Sequence, residues 1–286
     1  MRVVRGKIAL VTGAASGIGR ALSLRLAREG AQLFLMDVDS KGLGEVVSAA
    51  RLHGVEAMGA CCDVTQPDQV DRCIDQLLSR WGHVDILVNN AGVTYYGHSH
   101  HMSAEHWGQL LAVNLHGPIH FTRRLLPALL SRPEGHILNV ASICGLVGMG
   151  RVAAYTTSKF ALVGFSESLR AEYGRRGLGV TALCPGLVDT KLFASASRGE
   201  DRKENKRPPK FLLVSPEKIA NRAVKAIYRN QAVVVMQPYA RFLYATKRFS
   251  PWILDWINHF SRRRLKVSSR AVDCSEGVMD MPRKAA

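Results

Sequence analysis

A chain of 286 residues, 47% of them hydrophobic, can bury a full core and fits one large α/β domain better than two small ones. No stretch approaches the roughly 18 uninterrupted apolar residues of a membrane span. The formal net charge of +16 is spread along the chain with no aromatic-interleaved basic patch, which argues against a nucleic-acid partner.

At the start, MRVVRGKIALVTGAASG, the apolar run is only IALV before a Gly-rich turn, so no secretory signal is indicated and a cytoplasmic location is expected. Six cysteines (Cys61, Cys62, Cys73, Cys144, Cys184, Cys274) show no CxxC spacing and read as reduced thiols. Short apolar runs then alternate with longer amphipathic segments, the signature of a parallel sheet wrapped by crossover helices. Strands are expected at IALVT (from Ile8), QLFLMD (from Gln32), EAMGACC (from Glu56), VDILVNN (from Val84), GHILNVAS (from Gly135), GVTALCPG (from Gly179) and AVVVMQ (from Ala232). Seven strands suffice for a doubly wound α/β sheet with helices on both faces. Ser40 is expected to cap a helix that ends at Gly54, Gly82 to follow one that ends at Trp81, Ser103 to cap another, and Ser215-Pro216-Glu217 to open a further one.

After about residue 237 the alternation stops. The chain thus divides into a domain at 1–237 and an extension at 238–286, with an amphipathic helix expected at about 251–264 and a disordered tail. Ser250 is its candidate N-cap, and Trp252, Ile253, Trp256, Ile257 and Phe260 recur at helical spacing before Arg262, Arg263, Arg264 and Lys266. Such a stripe can pack on its own domain or a neighbouring subunit, or it can lie in a membrane interface. Packing within the assembly is the expectation, with peripheral membrane contact as the alternative.

Two short stretches carry chemistry. In TGAASGIG, residues 12–19, Gly13, Gly17 and Gly19 let the backbone approach a pyrophosphate whose charge rests on the amides of the following helix. Asp37, at the end of the second strand, stands where a carboxylate meets the adenosine ribose. In YTTSK, residues 155–159, Tyr155 and Lys159 share one helical face. Spacing alone leaves open a snorkelling Lys beside a half-buried Tyr.

TGAASGIG resembles the TGxxxGxG turn of the short-chain dehydrogenase/reductase family, NAD(P)-dependent oxidoreductases of Rossmann fold. Asp63-Val64, Asn89-Asn90-Ala91-Gly92, Asn114, Ser142, Tyr155, Lys159 and Pro185-Gly186 with Thr190 follow in the order that family requires. The resemblance covers roughly residues 5 to 237. It implies Tyr155 as the acid/base, Lys159 tuning it and bonding the nicotinamide ribose, Ser142 holding the substrate oxygen, and Asn114 positioning a water that links Lys159 to solvent. A neighbouring ammonium and an oxidised nicotinamide would both favour the phenolate. For the cofactor it implies Ser16 and Ile18 in the turn, Asp63 and Val64 over the adenine, Asn90, Ala91 and Gly92 along the border, and Val188 and Thr190 at the carboxamide. Asn89 would brace its strand end, and Pro185 and Gly186 would shape the loop.

NAD is expected over NADP, because Asp37 would repel a 2′-phosphate and the positions where NADP-preferring relatives carry a basic residue hold Ser16 and Val38. Arg20 reads as a solvated helix residue. The histidines of GHSHHMSAEHW match no common zinc spacing, and no metal is expected. Pocket-lining positions are apolar or aromatic: Tyr95 and Tyr96, then Ile143, Cys144, Leu146, Val147 and Met149, then Leu187, Leu192 and Phe193 in a substrate loop at about 187–214, whose Arg198–Lys210 run would form a lid. They imply a lipophilic secondary alcohol or ketone, such as a steroid, retinoid or fatty-acyl derivative, handled by a homodimer or homotetramer. The alternatives are a dinucleotide-sensing binding protein on the same scaffold and a fatty aldehyde or acyl reductase.

Overall fold

The structure, a computed structural model, describes residues 1–190, 197–198 and 212–260. Its strands are β1 (Ile8–Thr12), β2 (Gln32–Asp37), β3 (Ala57–Cys61), β4 (Ile86–Asn89), β5 (Tyr95–Tyr96), β6 (His136–Val140), β7 (Gly179–Cys184), β8 (Ser197–Arg198) and β9 (Val233–Val235). Seven of them form one sheet in the order β3-β2-β1-β4-β6-β7-β9, every neighbouring pair parallel. These seven coincide with the seven apolar runs of the sequence. The two-residue strands β5 and β8 pair separately; nothing in their composition announces that pairing.

The strands are largely apolar because both faces of the sheet are covered. Ala9, Val11, Leu33 and Leu35 pack on one side with Leu22 and Leu26 of α1 (Gly17–Arg28), Val46 and Val47 of α2 (Ser40–Arg51) and, from α7 (Pro216–Tyr228), Ala223 and Ile227. Their neighbours Leu10, Phe34 and Met36 face the other side. There they meet Ile74 and Leu77 of α3 (Pro67–Trp81), Phe121 and Leu125 of α5 (Gly117–Leu130), and Leu169 of α6 (Ala153–Tyr173). Helix α4 (Ala104–Leu111) precedes α5, and a π turn at Ala112–His116 joins the two.

Helix boundaries follow their caps with one correction. Gly82 closes α3 in the left-handed conformation (φ 72°), Ser103 Oγ accepts from the His106 amide at the start of α4, and Ser215 Oγ accepts from Lys218 at the start of α7. The cap of α2 is Asp39, not Ser40: its carboxylate accepts from the Gly42 amide at 3.0 Å, making Ser40 the first helical residue, and the helix ends at Arg51. Beyond β9, α8 (Pro238–Phe249) is a helix that the sequence pattern did not announce; Pro238, a breaker elsewhere, is tolerated in a first turn.

The chain divides into two compact units, the first spanning Met1–Ala245 and the second starting at Thr246 and holding α9 (Pro251–Phe260). Among the described residues, no helix is long and apolar enough to cross a membrane. Leu192, Phe193, the lid positions from Gly199 to Lys210, the Arg262–Lys266 cluster, Cys274 and the expected disordered tail lie outside the described residues.

The order of the sheet positions the site. From β1 the chain steps outward to β3, then crosses to β4 on the other side of β1 and steps outward again to β9. The strand order reverses between β1 and β4, so the connections that leave these two parallel strands turn opposite ways and open a crevice at their carboxyl ends.

Candidate active site

A cleft of about 340 Å³ opens at that crevice. Its first wall is the turn between β1 and α1, where Gly13, Ser16, Gly17 and Ile18 line the opening. Gly17 takes φ 53°, and a Cβ on Gly19 would run into the Gly13 carbonyl, so the turn closes only with glycine at these places. Ser16 stands at the N-cap of α1 without a side-chain cap bond, leaving the first amides of a 12-residue helix directed to the cleft. Gly19 lies beneath this wall.

Asp37 and Val38, at the end of β2, form the next wall. The Asp37 carboxylate accepts from the Ala15 amide at 2.9 Å and the Asp39 amide at 3.0 Å, which holds it against the glycine turn. Cys62, Asp63 and Val64 follow from the end of β3, and Asp63 is fixed by Thr65, whose amide and hydroxyl both donate to it. From β4 come Asn90, Ala91, Gly92 and Val93. Asn90 also braces the first wall, donating from Nδ2 to the carbonyls of Thr12 and Gly13, each at 2.9 Å. Asn89 points away and bonds Asn139 at 2.8 Å, as a strand brace.

The deep end combines Val140, Ala141 and Ser142 after β6 with Tyr155 and Lys159 of α6. A Cβ on Gly145 would lie 2.6 Å from the Lys159 carbonyl, so this glycine lets the turn after Ser142 pack directly on α6. Ser142 Oγ accepts from the Cys144 amide at 3.1 Å, which leaves its own O–H to donate. Lys159 Nζ donates to the Val140 carbonyl at 2.9 Å. Burial lowers the Lys159 ammonium to about 8. Burial also pushes the Tyr155 phenol up, the nearby Cys144 adds to this, and a hydrogen bond with Ser142 only partly opposes it. Desolvation is the largest of these causes and the Lys159 ammonium is not among them, so the chain alone holds a neutral phenol.

Asn114 is fully buried in the π turn, a local widening that often marks functional sites. Its Nδ2 donates to the Val93 carbonyl at 2.9 Å and Ser158 Oγ at 3.1 Å, and its Oδ1 accepts from the Val93 amide at 2.9 Å. The last wall is Pro185, Gly186, Val188 and Thr190 after β7. Thr190 faces the glycine turn, its Cγ2 only 3.3 Å from where a Cβ of Gly17 would be.

Every cofactor position anticipated from the sequence lines this cleft except Gly19. The anticipated substrate positions fare differently. Cys144 is buried with its Sγ 3.6 Å from Met149 Sδ, Tyr95 is buried, and neither they nor Met149 nor Leu187 line the cleft. Val93 and Val113 line it without having been anticipated; each adjoins a motif residue, but valine carries no signal of its own.

A dinucleotide suits these walls: uncapped helix amides for a pyrophosphate, a carboxylate beside them for ribose hydroxyls, and the apolar side chains of Val38 and Val64 for a base. Comparison with known proteins agrees. Residues 7–201 match the family described as short chain dehydrogenase. A Streptomyces coelicolor protein named "Putative ketoacyl reductase" is 39% identical over 191 residues, 66% of this chain and 73% of its own length. A short chain dehydrogenase/reductase of Burkholderia phymatum, solved in complex with NAD, is similar at 30% identity and TM-score 0.78, over 90% of this chain and 97% of that one. A variant of actinorhodin polyketide ketoreductase, solved with NADPH, is similar at 32% identity and TM-score 0.73, over 82% and 97%. The chain belongs to the short chain dehydrogenase family, and it is a nicotinamide-dependent oxidoreductase acting on CH–OH groups.

Proposed function

We propose that this enzyme interconverts a lipophilic secondary alcohol and its ketone with NAD(H), using Tyr155, Lys159, Ser142 and Asn114. One juxtaposition supports the reading most: Ser142 and the Tyr155–Lys159 pair, from two different segments, converge at the deep end of a cleft whose other walls suit a dinucleotide. The bound nicotinamide supplies or accepts the hydride. Tyr155, kept neutral by burial, donates its proton to the carbonyl oxygen in the reductive direction. Ser142 turns its O–H from Tyr155 to that same oxygen, a fixed dipole where negative charge develops. Lys159, with its ammonium near 8, exchanges protons close to neutral pH and returns one to Tyr155. Asn114 keeps one unused lone pair on Oδ1, enough to hold a water that connects Lys159 with solvent.

NAD is preferred to NADP in this reading, since Asp37 occupies the ribose wall and Lys159 is the one cation among the described residues that line the cleft. Arg20 is exposed and stands outside it. Solved relatives hold NAD or NADPH, so the preference is a property of these side chains and not of the fold. The substrate is a ketone or secondary alcohol with an apolar body, in keeping with relatives named for ketoacyl and polyketide ketone reduction. A panel of decan-2-one, acetoacetyl thioester, decan-2-ol and decanal, read by nicotinamide absorbance with both cofactors, tests it. Turnover of decanal alone would instead mark an aldehyde reductase, and NADH binding with no turnover would mark a dinucleotide sensor.

The enzyme works as a homo-oligomer, and its second unit touches an anionic lipid surface. Trp252 and Trp256, 68% and 60% exposed, occupy one face of α9, with Phe249 80% exposed just before it. Residues 246–266 hold six Lys or Arg against one Asp. Two such segments repel one another, whereas anionic headgroups attract both the charge and the indole rings. This favours lipid over the self-packing that the sequence pattern suggested.

A further inference from the structure

The loop after β7 supplies the wall of the cleft opposite the glycine turn, and two residues far along the chain hold it. Gln237 Oε1 accepts from the Gly186 amide at 2.7 Å, and Gln237 Nε2 donates to the Leu187 carbonyl at 3.0 Å. Tyr239 Oη accepts from the Leu187 amide at 2.6 Å. Three backbone groups of two consecutive residues are therefore bonded by side chains. The contact is tight enough that a Cβ on Gly186 would run into Tyr239 Oη. Gln237 is 5% exposed, so water cannot replace these partners without opening the site.

The held peptides connect to the chemistry in both directions. On one side, the Pro185 carbonyl accepts from the Ile143 amide at 2.8 Å, next to Ser142. On the other, Val188 bridges Val214, with the Asp189 amide donating to the Val214 carbonyl at 3.0 Å and the Val214 amide donating to the Leu187 carbonyl at 3.1 Å. The base of the expected substrate loop is thus closed at the same point. Gln237 and Tyr239 follow β9 and lie outside residues 7–201, the span that matches the family.

We infer that Gln237 and Tyr239 are positioning residues: they fix the Pro185–Thr190 wall in register with Ser142 and so set the distance between nicotinamide and substrate. This rests on the assignment of the cleft to the dinucleotide. Neither side chain lines the cleft, so both act through the loop. A shift of the wall by a fraction of an ångström lengthens the hydride path, an effect to which transfer rates are very sensitive.

The test uses the full-length enzyme with Tyr239→Phe, which removes only Oη, and Gln237→Met, which keeps the shape and loses the bonds. NADH affinity is measured by fluorescence titration, thermal unfolding by its midpoint, and kcat on the active ketone of the panel with NADH and with NADH deuterated at the transferred position. The expected result is a fall in kcat of about tenfold to ~10²-fold at 25 °C, with a larger primary isotope effect as hydride transfer becomes limiting. NADH affinity should change less than threefold. An unchanged kcat and isotope effect in Tyr239→Phe would overturn the proposal, including where the unfolding midpoint drops, since that is the behaviour of a merely structural contact. Should Gln237→Met fail to fold, Tyr239→Phe decides alone. Asp37→Ala serves as the control for the underlying assignment: if it leaves NADH affinity unaltered, the cleft is misassigned, whatever the clamp variants do.

Discussion

Lys159 Nζ stands 5.6 Å from the centre of the Tyr155 ring and gives its hydrogen bond to the Val140 carbonyl. One turn of helix thus brings together a phenol that burial keeps protonated and an ammonium that burial makes easy to deprotonate. This arrangement suits the proton movement proposed above, with strand β6 as its anchor.

Tyr155→Phe removes the phenolic oxygen and little else. Turnover should fall by at least ~10²-fold, the usual scale for a lost acid or base, while NADH affinity stays within a factor of about three. Steady-state kinetics beside a fluorescence titration decide the matter. Wild-type turnover in the variant would remove Tyr155 from the mechanism.

Lys159→Met should impair turnover and NADH affinity together, because one ammonium is proposed to serve both the tyrosine and the nicotinamide ribose. Its effect on stability has the opposite sign. The ammonium titrates near 8 in the fold against an ordinary 10.5, so at neutral pH the native protein carries a charge that burial disfavours. That cost, on the order of 3 kcal/mol, is fully present below pH 8 and fades as pH rises toward 10.5, where the unfolded chain also loses its proton. Without dinucleotide, Lys159→Met should therefore unfold at a higher temperature than wild type at pH 7, and the gap should shrink to about a quarter by pH 10. A variant less stable than wild type at pH 7 would mean that the bond to Val140 outweighs the buried charge.

Asp37→Ala should narrow the preference for NAD over NADP from both ends, by weakening the ribose contact and by removing repulsion of the 2′-phosphate. Four titrations, two cofactors against two proteins, give the answer. A wild-type enzyme that prefers NADP would show that a cation outside the cleft walls, such as Arg20, dominates the charge balance.

The lipid contact should appear as co-flotation with vesicles of 70:30 phosphatidylcholine and phosphatidylglycerol, weaker with pure phosphatidylcholine and weaker in high salt. Trp252→Ser with Trp256→Ser should lose flotation and retain turnover. If the double variant instead loses oligomer size while the wild type never floats, the aromatic face belongs to a second copy of the chain.

Much of this architecture was legible because its signals are local. An apolar run between turn residues marks each strand of a sheet covered on both faces, and glycines at 13, 17 and 19 with Asp37 announce a turn that few other purposes require. What the sequence withheld depends on contacts made after folding. Ser40 and Asp39 are both good caps by type, and only the geometry at Gly42 selects Asp39. The helix from Pro238 begins with a residue that elsewhere ends helices. Asn90 carries two roles, cleft border and brace of the glycine turn, and the motif disclosed only the first. Gln237 and Tyr239 have no motif at all, since a side chain bonding a distant backbone leaves no periodicity. The direction of the Tyr155 shift was likewise hidden: a sequence lists neighbouring charges but does not reveal how completely they are removed from water.

The clamp on Gly186 and Leu187 has a consequence for synthesis. The glycine turn emerges from the ribosome early, and Gln237 and Tyr239 emerge only after every strand of the sheet. A nascent chain consequently lacks the held Pro185–Thr190 wall until nearly all of its first compact unit is available to fold. On the positioning role inferred above, the rate of hydride transfer, rather than capture on a dinucleotide, would separate finished molecules from chains that stop short of α8.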